Sequence, residues 1–519
     1  MLTNSDAVPG ASGAMPALAR LDCDINHLIA YGQSLSVGYE GWPALSVIQP
    51  HDSLMLGGSV RPRRENAPRW QPVGDAAFRP LVAGVQNRVT GEMLTRDEVA
   101  ALPQGDIALG ETVLEAAANS LRGRILASGA HPGQHRLLAS TCGVGGRTLE
   151  ALSRGADPDL FNRLRDCAAL ACRMAGEQGL SYGIAAFLFL QGESNLRGWD
   201  GGTSGYDSYL ALLRGLHRDI QHDITAGIAR QANAPAWFLY QTGGIYATET
   251  NTIPQAQLDF ALSTPGCFLA APSYPVTDKN GHLDANGYRW LGEQFGKVMY
   301  RVLVQGQPWR PLHPLMAECA GRQLHVRFHV PAGPLAWGQP MLGHKFANLQ
   351  DRGFRLSDAR SLVPLRAVEL NGPDTVVLTL ARDPDGPLTL RYAATRGNGR
   401  GMLRDSDPEP AASIYEYTPG TGHYETANIP ELTGRPYPLH NWCVAFTLAV
   451  SSRPAAPPPP LPAVPVLPPA PIAAPPPASP PQATRTPAWD ALRSASQSTP
   501  QTEPAPPPPK SRWRLFGKE

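Results

Sequence analysis

The sequence has few cysteines, and they show no recognisable pairing. Seven are scattered through 519 residues, and no two stand in the Cys-x-x-Cys spacing that is typical of zinc and redox sites. Their odd number also gives no indication of a disulfide framework. The cysteines therefore suggest no zinc site, and their pattern fits synthesis in a reducing compartment. We expect no cofactor for this chain.

An excess of charge of one sign is also lacking. Lys and Arg together number 45, and Asp and Glu number 44. This balance gives no electrostatic case for a nucleic-acid partner or for binding to an anionic membrane surface.

Long apolar runs are missing as well. The longest one near a motif, residues 184–190, is far too short to span a bilayer and predicts a buried strand instead. Residues 1–20 lack the charged start and apolar core of a signal peptide. We therefore expect no membrane span, and the location stays open between the cytoplasm and export by a route without a signal peptide.

Residues 23–305 alternate short apolar segments with helical patterns, for example at Leu160, Leu164 and Met174. The apolar segments are nearly continuous, which is typical of parallel strands covered on both faces. Alternation of this kind predicts a doubly wound α/β domain, in which ligands bind beyond the carboxyl ends of the strands. The five predicted strands are residues 25–31, 136–141, 183–190, 236–241 and 267–270.

Three other segments differ in composition. Residues 1–22 are rich in small residues, and we predict that they are disordered. Residues 38–110 carry little periodicity, and an insertion of this length beside the first motif is predicted to form a wall of the site. Residues 306–450 alternate apolar and polar side chains between turn signals, which predicts a small antiparallel β-sandwich.

The last segment, residues 451–519, is dominated by proline. Runs at residues 457–460 and 506–509 favour extended polyproline II and cannot supply a core. We predict a disordered tail. Its basic and aromatic end, residues 510–519, is a candidate for docking on a protein partner, and a tail without a partner is an equally open alternative.

Residues able to carry chemistry follow three of the predicted strands. Gly32-Gln33-Ser34 comes after the first strand, Gln191-Gly192-Glu193 after the third, and Asp278 and His282 after the last. Loops at this edge of a parallel sheet converge on one crevice, so we expect these side chains to meet. A serine hydroxyl becomes nucleophilic when a neighbouring base takes its proton. The arrangement favours acyl transfer, with Ser34 as nucleophile and His282 as base.

The carboxylate that orients His282 is open to more than one interpretation. Asp278 could accept a hydrogen bond from the ring and fix its tautomer, or it could simply form the Asp-Lys-Asn-Gly turn. Glu193 could orient Gln191 or serve as the alternative carboxylate. We assign the acid to Asp278 and supporting roles to Glu193 and Gln33.

Donors for the oxyanion of ester cleavage must also face the site. Backbone N–H groups beside glycine can approach such an oxygen closely, and the segment Gly143-Val144-Gly145-Gly146 follows the second predicted strand. The side-chain amide of Gln191, at the mouth of the sheet, is a further candidate donor.

Taken together, these segments resemble the SGNH-hydrolase superfamily, and within it the sialate O-acetylesterase and acetylxylan-esterase-like branch. The resemblance covers about residues 23–305 and implies a flavodoxin-like three-layer sandwich with a parallel sheet. The motifs that carry it are Gly32-Gln33-Ser34, Gly145-Gly146-Arg147-Thr148, Gln191-Gly192-Glu193-Ser194-Asn195, and the segment from Asp278 through His282 to Gly287-Tyr288.

The same resemblance implies an activity and roles for individual residues. The activity is metal-free removal of acetyl groups from O-acetylated glycans. Ser34 is implied as nucleophile and His282 as general base. The implied oxyanion hole consists of the Ser34 backbone, a glycine at Gly145 or Gly146, and Gln191.

One position departs from the family pattern. The acid usually stands three residues before the histidine, where this chain has Lys279, and Asp278 stands four before it. A turn that is one residue longer could still deliver the Asp278 carboxylate to His282. Otherwise His282 could pair with Glu193 or have no acid.

Three functional hypotheses follow from these motifs. The leading one is a carbohydrate O-acetylesterase that forms an acyl-enzyme on Ser34. The displaced acid motivates the second, a catalytically weak carbohydrate-binding or adhesive protein. Residues 403–407 and 437–443 also resemble segments that follow such hydrolase domains in phage tail and prophage-type proteins. The third is an O-acyltransferase on the same scaffold, because its first half-reaction is identical.

Overall fold

The computed structural model describes residues 17–129, 135–279, 281–343, 349, 351–395 and 398–452. These residues fall within one compact unit that spans Met1–Ala456. Residues 1–16 and the proline-rich segment from 453 onward lie outside the described residues, so the predictions made for them stay predictions. Residues 17–22 differ from the predicted disorder, because Leu21 is buried in the core and the Ala19 N–H donates to the Ala234 carbonyl.

A seven-stranded sheet lies in the first part of the chain, in the order β3-β2-β4-β1-β5-β6-β7. All neighbouring strands are parallel except the edge pair β2 and β3. The predicted mixed α/β fold with a parallel sheet is thereby confirmed. The strands are β1 (Ile25–Gly32), β2 (Leu54–Leu56), β3 (Phe78–Pro80), β4 (Arg136–Thr141), β5 (Tyr182–Leu190), β6 (Ala236–Gln241) and β7 (Cys267–Pro272).

The strand order places a crevice at the centre of this sheet. The five strands predicted from the sequence, β1 and β4 to β7, lie in the doubly wound order 2-1-3-4-5. The chain turns to opposite sides after β1 and after β4, so the switch point falls between β1 and β5. Ser34 directly follows β1, and Gln191 directly follows β5.

Helices cover the sheet, and alternate residues of β1 join different cores. Leu28 and Ala30 belong to a cluster with residues of α3 and α9, whereas Ile25 and Ile29 belong to one with residues of α5 and α7. In the described part of the chain, no helix is long and apolar enough to cross a membrane. The helices are α1 (Ser34–Val37), α2 (Arg96–Ala100), α3 (Val113–Ser128), α4 (Leu149–Leu152), α5 (Asn162–Glu177), α6 (Glu193–Leu196), α7 (Tyr206–Ile220), α8 (Thr252–Ser263) and α9 (Ala285–Met299).

A second sheet of eight strands follows, in the order β12-β11-β15-β19-β8-β9-β14-β13. It is antiparallel except where β19 pairs with β8, so the predicted antiparallel β region is confirmed at this level, and its sandwich arrangement stays a prediction. The strands of this part are β8 (His313–Ala320), β9 (Gln323–His329), β10 (Leu335–Trp337), β11 (Phe354–Ser357), β12 (Leu362–Val363), β13 (Leu365–Leu370), β14 (Thr375–Leu380), β15 (Leu388–Tyr392), β16 (Leu403–Asp405), β17 (Pro410–Ile414), β18 (Pro436–Pro438) and β19 (Phe446–Ser452).

The loops that leave β6 are bound directly to the second β region. The Asn251 side-chain amide donates to the carbonyls of Tyr392 and Phe446. Gly244 and Gly399 exchange two backbone hydrogen bonds, of 3.1 and 2.9 Å. The loop around Gly399 therefore lies at the carboxyl end of β6, on the crevice side of the sheet.

The turn that carries the serine requires a glycine at position 32. Gly32 has a φ of +140°, and a Cβ atom there would lie 2.0 Å from the Leu190 carbonyl oxygen. We expect Gly32→Ala to lower the free energy of unfolding in urea by about 3 kcal/mol or more, because strain and a backbone clash add. Gly176→Ala is the matched control: a Cβ at this helical position meets no atom within 4 Å, so a gain of about 0.5–1 kcal/mol is expected. Equal stability of the two variants would contradict this account of the turn.

Candidate active site

Ser34 lies at the first position of α1, immediately beyond the carboxyl end of β1, and is 5% exposed. Its loop is tied to the neighbouring strand by Gln33. The Gln33 Oε1 atom accepts hydrogen bonds from the backbone N–H groups of Gly192 and Ser194, at 3.3 and 3.1 Å. Gln33 therefore joins the first motif to the third, and its supporting role in the site stays a prediction.

His282 meets the serine hydroxyl. Its Nε2 atom lies 2.9 Å from Ser34 Oγ, so the structure brings together the two residues that the sequence placed in the roles of base and nucleophile. The loop of His282 is closed by a hydrogen bond of 2.7 Å from the Lys279 N–H to the His282 carbonyl. The following helix, α9, is capped by Asp284, which accepts from the Gly287 N–H.

The carboxylate at the other ring nitrogen is Glu40. Its Oε2 atom lies 3.2 Å from His282 Nδ1, and the residue is 6% exposed. Glu40 has a φ of +58°, which is uncommon for a residue with a side chain and is often found at functional sites. Two hydrogen bonds hold this backbone: the Glu40 N–H donates to the Ala108 carbonyl, and the Tyr288 hydroxyl donates to the Tyr39 carbonyl.

Asp278, which we assigned as the acid, pairs with Arg400 in the structure. Its Oδ2 atom accepts from the Arg400 guanidinium at 3.0 Å. The physical reason is that the loop between β15 and β16 delivers this arginine to Asp278, while the insertion after Ser34 delivers Glu40 to His282. The geometry therefore moves the position of the acid from Asp278 to Glu40.

The side chain of Gln191, a predicted oxyanion donor, is bound on all sides by other groups of the protein. Its Nε2 atom donates to Asn195 Oδ1 at 2.7 Å and to the Arg147 carbonyl at 3.3 Å. Its Oε1 atom accepts from the Tyr209 hydroxyl at 2.7 Å. Both amide hydrogens are thus engaged by the protein, and Gln191 shapes the loop after β5 instead of presenting a donor.

The two glycines predicted as donors differ in their surroundings. The Gly145 N–H donates to Glu65 Oε1 at 2.5 Å, and the Tyr39 hydroxyl lies so close that a Cβ atom on Gly145 would be 2.1 Å from it. Gly146 is exposed and has a φ of +69°. A carboxylate thus binds the N–H group of Gly145, and Gly146 is exposed at the surface of the protein.

Glu193 faces the loop after β6. Its Oε1 atom accepts from the hydroxyls of Thr242, at 2.7 Å, and Tyr240. Burial raises the pKa of the Glu193 carboxyl, although the two hydroxyls and His282 oppose this shift. Glu193 Oε2 is buried and has no hydrogen-bond partner among the described residues. These contacts bind Glu193 to Tyr240 and Thr242, and its supporting role stays a prediction.

Lys279 occupies an aromatic box behind the histidine loop. Its Nζ atom lies 3.4 Å from the ring centre of Trp42 and 4.3 Å from that of Tyr424, and it donates to the Trp42 carbonyl. These contacts join the His282 loop to the insertion and to the second β region. Burial lowers the pKa of Lys279 to about 7, while Asp284, Glu40 and Asp106 oppose this shift.

This buried lysine predicts a pH-dependent stability. Lysine in an unfolded chain has a pKa of about 10.4, so between pH 7 and 10 the unfolded state binds a proton that the folded state lacks. The free energy of unfolding then rises with pH through this window. We expect this rise to be smaller in Lys279→Met than in the wild type, by roughly 1 kcal/mol or more. Urea unfolding of both proteins at pH 7 and pH 9.5 measures this rise in unfolding free energy. An equal rise in the variant and the wild type would contradict the lowered pKa of Lys279.

In the described ranges, no group of three or more His, Cys, Asp or Glu side chains is arranged to hold a metal ion. No protein-family model matches the chain, and no curated protein matches it.

Several solved structures are similar in fold. A carbohydrate acetylesterase from Xanthomonas citri matches 82% of this chain and 80% of its own, with 14% identity and a TM-score of 0.47. A protein from Arabidopsis thaliana matches 54% of this chain and 99% of its own, with 16% identity and a TM-score of 0.35. A carbohydrate acetylesterase family member from Sinorhizobium meliloti matches 54% and 99%, with 15% identity and a TM-score of 0.27. Identities and TM-scores as low as these give no information about the function of this chain.

Proposed function

We propose that this chain is a serine carboxylic-ester hydrolase that removes O-acetyl groups from carbohydrate. One observation carries the proposal: Ser34 Oγ, the two nitrogens of His282 and the Glu40 carboxylate are aligned, with separations of 2.9 and 3.2 Å. A hydroxyl, an imidazole and a carboxylate in this order form the triad that activates a serine nucleophile.

The proposed reaction has two half-reactions, the acylation of Ser34 and its deacylation, and the same three residues act in both. His282 Nε2 takes the proton of Ser34 Oγ as this oxygen attacks the acetyl carbonyl, and the Nδ1–H bond to Glu40 stabilises the imidazolium that forms. Collapse of the tetrahedral intermediate expels the sugar oxygen, which takes the proton from His282. The ring then deprotonates a water molecule that attacks the acyl-enzyme, and acetate leaves as Ser34 regains its proton.

The oxyanion needs donors other than the Gln191 side chain. Ser34 lies at the first position of α1, where a backbone N–H has no acceptor inside the helix. We propose this group as the principal donor, with Gly146 as the second. Gly145 can join them only when Glu65 releases its N–H, because a carboxylate in that position repels a developing negative charge.

The substrate class and the family remain part of the proposal. The four motifs that resemble the SGNH-hydrolase superfamily support acetyl esters of carbohydrate as substrates, and the strand order 2-1-3-4-5 supports the flavodoxin-like layering that this family implies. The alternative of a carbohydrate-binding protein without activity arose from the displaced acid. Glu40 at His282 Nδ1 supplies a carboxylate in the required position and favours the enzyme.

A covalent trap combined with product release tests this function. We expect a fluorophosphonate to phosphonylate Ser34, with fluoride as the leaving group, and the mass increase should map to the peptide that contains this residue. The unmodified protein should release acetate from p-nitrophenyl acetate and from at least one O-acetylated polysaccharide. Folded protein that neither reacts at Ser34 nor releases acetate would rule out the proposed function.

A further inference from the structure

A cavity that is open to solvent adjoins the proposed reaction centre, and its space amounts to about 330 Å³ when the open solvent within it is included. Leu35, the neighbour of Ser34, forms one side of it, and Gly281 and Leu283, which flank His282, form another. Glu193 and Arg400 line the same space. A ligand bound there would lie against both the nucleophile loop and the histidine loop.

The arginine that lines this cavity comes from the second β region. Its loop is fixed by the paired backbone hydrogen bonds between Gly244 and Gly399. A Cβ atom on Gly399 would lie 2.0 Å from that of Ala247, so the close approach depends on glycine. Arg400 is 8% exposed, and its guanidinium donates to Asn398 Oδ1 at 2.7 Å and to Asp278 Oδ2 at 3.0 Å.

Two residues that line this cavity each carry a polar atom without a hydrogen-bond partner among the described residues. Arg400 Nε and Glu193 Oε2 are both buried, and neither has a partner within the described part of the chain. Leaving such groups unpaired is unfavourable unless a ligand or water meets them. A hydroxyl group both donates and accepts, so it matches an N–H donor and a carboxylate acceptor at once.

The charge around the cavity excludes an anion as the favoured ligand. The Arg400 guanidinium is already compensated by the Asp278 carboxylate at 3.0 Å, and Glu193 lies in the same lining. Within this lining, no positive charge is therefore left over for a carboxylate group on the ligand, and Arg197, which lies outside the lining, contacts the Tyr246 ring. A neutral polyhydroxyl compound suits this lining better than an acidic sugar.

An aromatic surface continues the cavity towards solvent. Tyr246 lines the cavity, and the ring of Trp199 packs edge-on against it at 6.2 Å. The Arg197 guanidinium lies 5.5 Å from the centre of the Tyr246 ring, and its donation to the Ile245 carbonyl helps to fix the loop. Trp199 is 45% exposed. An exposed aromatic ring beside a pocket with a few polar groups is typical of a ligand site.

We infer that this cavity and the Trp199–Tyr246 surface bind the sugar that carries the ester, and that this sugar is neutral with a free hydroxyl near the acylated position. Arg400 and Glu193 would bind the hydroxyl, and Trp199 would stack on the apolar face of the ring. The inference rests on the proposed esterase function and adds the class of sugar and the residues that recognise it.

Substrate discrimination tests this inference directly. The probes are mono-O-acetylated methyl glycosides of xylose, glucose and mannose, the anionic 9-O-acetylated sialic acid, and p-nitrophenyl acetate, which lacks a sugar. We expect the wild type to hydrolyse at least one neutral glycoside with a higher kcat/KM than the sialic acid. In Trp199→Ala, the ratio of kcat/KM for this glycoside to that for p-nitrophenyl acetate should fall about tenfold.

A second variant tests the arginine without leaving a charge unpaired. The double substitution Arg400→Met with Asp278→Asn removes both partners of the ion pair, and the same ratio should fall about tenfold or more. Leu315→Ala, which truncates a side chain of similar exposure on β8, is the control and should leave the ratio at the wild-type value. Ratios that stay unchanged in both test variants would overturn the inference, and so would faster hydrolysis of the sialic acid.

A binding experiment without turnover tests the sugar site independently of the esterase activity. The deacetylated methyl glycosides can be titrated into Ser34→Ala protein, with saturation-transfer NMR as the readout, so no turnover is needed. We expect binding of at least one glycoside, weakened about fivefold or more when Trp199→Ala is added. Absence of binding to all three would overturn the sugar site even if p-nitrophenyl acetate is hydrolysed. Binding without any ester hydrolysis would keep the sugar site and reject the esterase.

Discussion

Replacement of Ser34 by alanine is expected to lower kcat/KM for p-nitrophenyl acetate by about four orders of magnitude. The Ser34 hydroxyl is the group within 2.9 Å of His282 Nε2, and without it the attacking oxygen of the acyl-enzyme route is lost. Residual turnover would come from oxyanion donors and binding alone. The fold should survive, because Glu40 still holds the other ring nitrogen. Steady-state kinetics and urea unfolding on the same preparation measure both effects.

The neighbouring Ser36 provides a matched control for this substitution. It lies on the same short helix, is fully buried, and its hydroxyl donates to the Gln33 carbonyl at 2.6 Å. Ser36→Ala removes one internal hydrogen bond, so we expect a loss of about 1 kcal/mol in stability and turnover within about threefold of the wild type. Turnover by Ser34→Ala at the level of Ser36→Ala would show that Ser34 is not the nucleophile.

The positions of the proposed nucleophile and the proposed base could be predicted because each belongs to a local pattern. Ser34 follows a nearly continuous apolar strand and a glycine, and His282 precedes a helix with apolar residues at helical spacing. Short-range features of this kind place both residues at the carboxyl edge of a parallel sheet. Their meeting at 2.9 Å then follows from the doubly wound topology.

The acid could not be predicted in the same way. Glu40 lies in a segment without periodicity, and its carboxylate reaches His282 because Ala108 and Tyr288, both distant in sequence, hold its backbone. Its signal in the sequence is an acidic residue between glycines shortly after the nucleophile, which is weak by itself. Asp278 was favoured by its nearness to His282 along the chain. Its partner Arg400 comes from the second β region, and a single sequence does not indicate such a contact.

Long-range contacts also explain the other differences. Gln191 stands at the expected edge of the sheet, yet Asn195 and Tyr209 engage its amide, and this depends on how the following helices pack. The edge strands β2 and β3, within the predicted insertion, are too short to show a period. In β9, by contrast, alternate residues are buried and exposed, so the antiparallel region was visible in the sequence pattern.

Glu40→Gln is expected to lower kcat for p-nitrophenyl acetate by about 10³–10⁴-fold. The carboxylate accepts a hydrogen bond from the Nδ1–H group of His282, which fixes the ring proton on Nδ1 and leaves Nε2 free to take the proton of Ser34. An amide can donate to Nδ1 instead, which puts the ring proton on Nε2 and removes its basic character towards the serine. The side chain keeps its volume, so the effect on stability should be small by comparison.

Asp278→Asn is the companion variant that distinguishes the two acids. In the structure, Asp278 accepts from Arg400 and forms part of the histidine loop, so its amide variant should lose about tenfold at most on p-nitrophenyl acetate. If Asp278→Asn loses 10³-fold and Glu40→Gln less than about tenfold, the acid is Asp278, the residue next to the position that the family spacing gives. Kinetics of both variants under identical conditions decide between Glu40 and Asp278.

Glu40→Gly separates the role of the carboxylate from the strain of its backbone. A residue with a side chain at φ +58° costs of order 1 kcal/mol or more, and glycine adopts this conformation without that cost. The variant also loses the hydrogen bond to His282, worth about 1–2 kcal/mol, so the net change in unfolding free energy should be close to zero. Activity should nevertheless fall about as far as in Glu40→Gln, because the carboxylate is gone in both. If Glu40→Gly keeps the wild-type stability and loses turnover, the fold does not need the Glu40 side chain. The strained backbone conformation at this position is then maintained for catalysis.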